Sequence, residues 1–139
     1  MAVVMDSSVF VCWQFPDEDT KLVQPAIDVM LDRGAVIPVH WTAEVANVFA
    51  LGVRRGRMQA AFRSGILERI SDLPLTVDQA SADAFFSTTQ ALCDRYELTA
   101  YDAAYLELSR RRALPLATLD KRLAAAAALE GVQLTVAPE

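Results

Sequence analysis

Histidine occurs once in this chain, at His40, and cysteine twice, at Cys12 and Cys93. A single histidine excludes the paired-histidine acid–base chemistry of metal-free ribonucleases. Two cysteines so far apart match no zinc or redox spacing, and both are expected to be buried free thiols in a reducing compartment. Apolar runs are short, and none reaches the ~20 residues that a membrane span needs. The apolar opening "MAVVMDSSVFVCWQF" is broken by Asp6 and carries no basic leader, so it reads poorly as a secretion signal. A cytoplasmic location is expected. Repeats, low-complexity tracts and linkers are missing too, so residues 1–139 read as a single domain.

Cations are in the minority. Thirteen Lys and Arg face 18 Asp and Glu, a net charge of −5, which at first argues against nucleic acid as a partner. That objection weakens if some acids serve a cation. Setting four aside leaves 14 acids, close to balance. The basic residues also cluster, as Arg54, Arg55 and Arg57, as Arg110, Arg111 and Arg112, and as Lys121 and Arg122. Helix ends favour such clusters through the dipole, and a polynucleotide backbone favours them equally.

Apolar residues make up 53% of the chain, ample for a core and high enough to suggest a subunit interface. Short β-branched runs alternate with helical patterns, the mark of β-α-β units and a mainly parallel sheet. Strands are expected at 2–5, 35–38, 75–77, 114–119 and 132–136. Helices are expected from residue 7 to near Pro16, then over 22–33, 41–55, 57–70, 78–96, 99–112 and 121–129. Gly34, Gly56 and Gly131 follow helical stretches as stop residues.

The acids fall in a pattern. Asp6 directly follows the first strand and Asp120 the fourth, so chain direction puts both at one edge of a parallel sheet. Glu44 lies in the first turns of the helix after the second strand and starts from the same edge. Asp102 opens the helix before the fourth strand, three residues after Thr99, in a capping-box spacing. Each acid also has a plain role as a helix cap or first-turn carboxylate. Neighbouring polar groups favour more than that: Ser7 and Ser8 beside Asp6, Thr118 beside Asp120, and Asn47 three residues past Glu44. His40, next to Trp41, reads as a packed side chain rather than a ligand.

Converging carboxylates repel by about 4 kcal/mol per pair at ~4 Å and an effective dielectric near 20. They must bind protons or be held by a cation. Hard oxygen donors without a Cys/His set favour Mg²⁺, or Mn²⁺, over zinc. Such ions work on phosphate esters, so metal-assisted phosphodiester hydrolysis is the leading chemistry. Asp6 and Asp102 would be direct ligands, Asp120 direct or through water, and Glu44 the holder or deprotonator of the attacking water.

Four segments resemble the PIN-domain nucleases, most closely the VapC-type toxins of bacterial toxin–antitoxin pairs. They are "MDSSVFVCWQF", "VIPVHWTAEVANVF", "TAYDAAYLELSRRRALPLATLD" and "GVQL". The third is the most specific, coupling Asp102 in "YDAAYLELS" to Asp120 in "ATLD". The resemblance implies a three-layer α/β/α fold with strand order 3-2-1-4-5. It also implies a Mg²⁺ or Mn²⁺ site at Asp6, Glu44, Asp102 and Asp120, supported by Ser7 and Thr118. RNA cleavage follows, with transfer or ribosomal RNA as candidate substrates, along with a homodimer and a cognate VapB-type antitoxin as partner. Under this reading Arg54, Arg55, Arg57, Arg110, Lys121 and Arg122 are the candidate RNA contacts. His40 departs from the family's apolar habit at that position, and the overall acidity departs from the expectation for an RNA-binding enzyme. Two other readings stand beside it: a Mg²⁺-binding signalling receiver with Asp78 as phosphoacceptor, and a catalytically inactive PIN fold that binds protein.

Overall fold

Three residues, Val3–Met5, form β1 at the centre of the sheet, and all three are fully buried. No alternation is needed where both faces are covered. The computed structural model describes residues 1–136 and 138. Around β1 stand β2 (Ala35–Pro38), β3 (Leu75–Asp78), β4 (Leu116–Ala117) and β5 (Leu134–Val136), in the order β3-β2-β1-β4-β5. All four pairings are parallel, with Val4 opposite both Val36 and Leu116. The expected order is therefore found.

Parallel neighbours require helical crossovers. They are α1 (Ser7–Gln14), α2 (Gln24–Arg33), α3 (Trp41–Arg54), α4 (Ala60–Ile70), α5 (Ala82–Ala84), α6 (Gln90–Tyr96), α7 (Ala100–Arg112) and α8 (Lys121–Leu129). None of the helices among the described residues is long and apolar enough to cross a membrane. Phe10 of α1 packs on Trp41 and Phe49 of α3, with ring centroids 5.1 and 6.4 Å apart. On α7 the whole run 103–109 is buried, so this helix lies in the core rather than on it. Gly34 turns the chain from α2 into β2 with φ +89°, a conformation that side chains resist.

Several boundaries differ from expectation. The fourth strand contracts from 114–119 to Leu116–Ala117, and Thr118 just beyond it hydrogen-bonds to Asp6 at the sheet edge. The fifth begins at Leu134 rather than 132, and the helix expected from 57 begins at Ala60. The single helix expected over 78–96 is three pieces. Asp78 still belongs to β3, Ser81 caps α5 by accepting from Ala84 N, and Phe85–Thr89 form a π-helical turn before α6. That wider turn buries Thr89 while Phe86 stays exposed. Cys12 is buried and free as expected, whereas Cys93 is free but only half-buried.

Candidate active site

Parallel strands deliver Asp6 and Asp120 to the same edge, and in both cases the side chain caps the next helix. Asp6 accepts from Ser8 N at 3.5 Å, and Asp120 accepts from Leu123 N at 2.9 Å. Thr99 caps α7 by accepting from Asp102 N at 3.2 Å. The plain capping roles are therefore all filled. They do not exhaust these carboxylates, because hydroxyl groups stitch the acids together.

Thr118, fully buried, donates to Asp6 Oδ2 at 2.6 Å and accepts from Asp120 N at 3.0 Å. Ser8 donates to the same Asp6 oxygen at 3.0 Å and accepts from Leu119 N at 3.1 Å. The Ser7 hydroxyl stands 3.3 Å from both Asp6 Oδ1 and Glu44 Oε1, so one proton serves two acids. Glu44 also accepts from the Tyr105 hydroxyl at 2.5 Å.

Burial pushes the Asp6 carboxyl up from its usual range, and the nearby Glu44 charge adds to this. Hydrogen bonds from Thr118 and Ser8 oppose the shift. Asp102 is pushed up as well, first by burial, then by the charges of Asp120 and Asp6. Carboxylates 18 and 96 residues away in sequence thus share one electric field with Asp102. All these donors are hard oxygens, which suits a small divalent cation. Among the described residues, no three His, Cys, Asp or Glu side chains are grouped closely enough to hold a metal ion. The fit is one of donor type and mutual repulsion: a cation would draw together groups that otherwise hold each other off.

Other expected residues are placed as follows. Asn47 is exposed on α3, and no side-chain hydrogen bond to Glu44 forms. His40 is packed, as expected, though between Tyr101 and Tyr105, edge-on to both at 5.6 and 5.3 Å. Its Nε2 lies 3.7 Å from Glu44 Oε1. Lys121 and Arg122 open α8 next to Asp120, and Arg122 donates to the Glu97 carbonyl at 3.3 Å. Arg54 and Arg55 are exposed at the far end of α3, with Arg54 about 15 Å along the axis from Glu44. Arg57 is tied to Asp17 and Glu18 at 3.0 Å and lies over the Phe15 ring. Arg110 stands 3.6 Å from Glu130, about 12 Å along α7 from Asp102.

Arg111 and Arg112 converge on Asp78. Arg111 grips both its oxygens, Arg112 Nε donates at 2.8 Å, and Arg111 also holds Glu107 at 2.6 Å. Asp78 is buried beneath these cations, which removes it as a phosphoacceptor and with it the receiver reading. Sequence reasoning missed this pairing, and it missed Tyr105, which reads in "YDAAYLELS" as one more core residue. The only available signal was the three-residue step from Asp102, which puts both on one side of α7.

The decisive comparison is a family model described as "PIN domain", which matches residues 3–129. This chain belongs to the PIN domain family. Two curated relatives carry the name Ribonuclease VapC3. That of Pyrobaculum aerophilum is 27% identical over 124 residues, covering 89% of this chain and 93% of the relative. That of Mycobacterium tuberculosis is 31% identical over 102 residues, covering 73% of this chain and 72% of the relative. Among solved structures, a Pyrobaculum aerophilum protein superposes with a TM-score of 0.69 at 20% identity, over 91% of this chain and 84% of that one. A chain of a toxin–antitoxin complex from Klebsiella pneumoniae gives 0.63 at 16% identity, over 99% of both chains. These likenesses show the fold: this PIN domain is a parallel five-stranded sheet flanked by helices.

Proposed function

We propose that this PIN-domain protein is a divalent-metal-dependent endoribonuclease of the VapC toxin type. The observation carrying the reading is the hydroxyl network at the sheet edge: Thr118 joins Asp6 to the Asp120 backbone and Ser7 joins Asp6 to Glu44, groups drawn from distant parts of the chain. The names of the relatives supply the substrate class. Asp6 and Asp102 would ligate Mg²⁺ or Mn²⁺ directly, with Asp120 ligating directly or through water. When bound, the ion would neutralise charge on the phosphate oxygens and make a water more acidic.

The chain's own residues do the rest. Thr118 and Ser8 hold the Asp6 carboxylate by two hydrogen bonds, so it does not swing away from the edge. Ser7 ties Asp6 to Glu44. Glu44 holds the attacking water and takes its proton as the water oxygen bonds to phosphorus, the P–O3′ bond breaks, and the 3′-oxygen takes up a proton from solvent, giving a 5′-phosphate and a 3′-hydroxyl. Lys121 and Arg122 reach the RNA backbone beside the acids, and Arg54 and Arg55 contact it further out. Arg57 and Arg110, already facing acids, contribute less. A VapB-type antitoxin as inhibitor and a homodimer as working form complete the proposal, the first supported by the toxin–antitoxin likeness and the second by the high apolar content.

The test is incubation of purified protein with total cellular RNA in Mg²⁺, Mn²⁺ or chelator, alongside Asp6→Asn and Asp102→Asn. Cleavage that needs the ion and both carboxylates, leaving 5′-phosphates, is expected. Cleavage in chelator, or 2′,3′-cyclic phosphate ends, would overturn the mechanism.

A further inference from the structure

The two carboxylate oxygens of Glu44 are not equivalent. Three groups crowd Oε1: the Tyr105 hydroxyl at 2.5 Å, the Ser7 hydroxyl at 3.3 Å and His40 Nε2 at 3.7 Å. Among the described residues, none donates to Oε2. The Ser7 proton is shared with Asp6, and the His40 nitrogen is too far for a hydrogen bond. Tyr105 therefore makes the one hydrogen bond that Glu44 has to itself.

Tyr105 is built to make it. Its side chain is fully buried within the continuous core run of α7, so its ring cannot turn away. A neutral phenol has one proton to donate, and Glu44 Oε1 stands in line to accept it. The phenol oxygen accepts from Ser7 N at 3.3 Å, which fixes the direction of the O–H bond. His40, edge-on to the Tyr105 and Tyr101 rings, fills the remaining side. A glutamate in the first turn of a helix otherwise samples several rotamers, and a water-activating carboxylate loses rate with every misplaced one.

We infer that Tyr105 is a positioning residue: it pins Glu44 through Oε1 and leaves Oε2 as the oxygen that receives the proton of the attacking water. The inference rests on the reading of Glu44 as proton acceptor. Tyr105 itself touches neither RNA nor the reacting atoms.

The experiment compares wild type, Tyr105→Phe, Glu44→Gln and the double variant in steady-state cleavage of an oligoribonucleotide in Mn²⁺. The ¹³C resonance of the Glu44 carboxyl, assigned through Glu44→Gln, is read by NMR in ion-free buffer. Thermal melting checks that Tyr105→Phe is folded. The expected result is a kcat about tenfold lower or worse in Tyr105→Phe with KM within twofold of wild type. No further loss is expected when the change is made in Glu44→Gln, because coupled residues are not additive. The Glu44 carboxyl resonance should move in Tyr105→Phe. Wild-type kcat in Tyr105→Phe, an equal loss in both backgrounds, or an unmoved resonance would each overturn the inference. Wild-type protein that cuts no RNA in any divalent ion would instead refute the nuclease reading and the proton-acceptor role built on it, and the resonance would still decide whether Tyr105 pins Glu44.

Discussion

Asp78 offers the sharpest test of how this fold is held together. Only 3% exposed, it accepts three hydrogen bonds from Arg111 and Arg112, and Arg111 is shared with the buried Glu107. Asp78→Ala leaves Glu107 paired but strips Arg112 of its partner. Breaking a buried ion pair costs about 3–5 kcal/mol when the surviving charge stays buried. Here the two guanidinium side chains are 40% and 39% exposed, so water recovers part of that. The expected loss is about 2–3 kcal/mol. With a urea m-value of ~2 kcal/mol/M, the unfolding midpoint should fall by roughly 1–1.5 M, followed by the fluorescence of Trp13 and Trp41. The pH dependence has a definite sign. The hydrogen bond from Arg111, then the cationic charges, hold the Asp78 carboxyl below its unfolded value of 3.8. Its contribution is complete above that value and disappears as pH falls through the lower folded value. The gap between wild type and variant should therefore be constant from neutral pH down to about 5, then close in stronger acid. A midpoint drop below about 0.3 M, or a gap that survives full protonation, would refute this account.

Four further outcomes are expected. Gly52→Ala puts a methyl group 2.6 Å from Phe15 Cζ, an overlap that should cost about 1–3 kcal/mol in urea unfolding. Thr118→Val removes the 2.6 Å bond to Asp6 and the acceptor for Asp120 N, costing about 1–3 kcal/mol and slowing RNA cleavage in steady-state assays. Asp102→Asn relieves repulsion by Asp120 and Asp6, so it should raise stability by about 0.5–1 kcal/mol while abolishing ion-dependent cleavage. The sign follows from a carboxyl raised in the folded state, which destabilises that state once pH exceeds the unfolded value. Mn²⁺ at millimolar concentration should raise the melting temperature of wild type but not of the Asp6→Asn, Asp102→Asn double variant, measured by scanning fluorimetry.

Much of the frame was legible in the sequence because it depends on short-range order. The strand 35–38 has the expected bounds, set by Gly34 before it and by His40 and Trp41 after it. Chain direction alone placed Asp6 and Asp120 on one edge, since a parallel sheet allows no other outcome. The order of strands came through the family resemblance and not from periodicity. What stayed hidden was long-range or geometric. Nothing local distinguishes the π-helical turn at 85–89, which packs against α7, from an ordinary helix. The cluster Arg110, Arg111 and Arg112 looked uniform, yet two members neutralise Asp78, 33 and 34 residues away. Tyr105 looked like core and is core; only its hydroxyl gives it a second task.

Asp6 is held by Ser7, Ser8 and Thr118, so its setting requires both ends of the chain. While the polypeptide is still leaving the ribosome, β4 has not inserted beside β1, and Asp120 and Thr118 have no place to stand. The edge that carries Asp6 is thus completed only when the last third of the chain has docked onto the first strand.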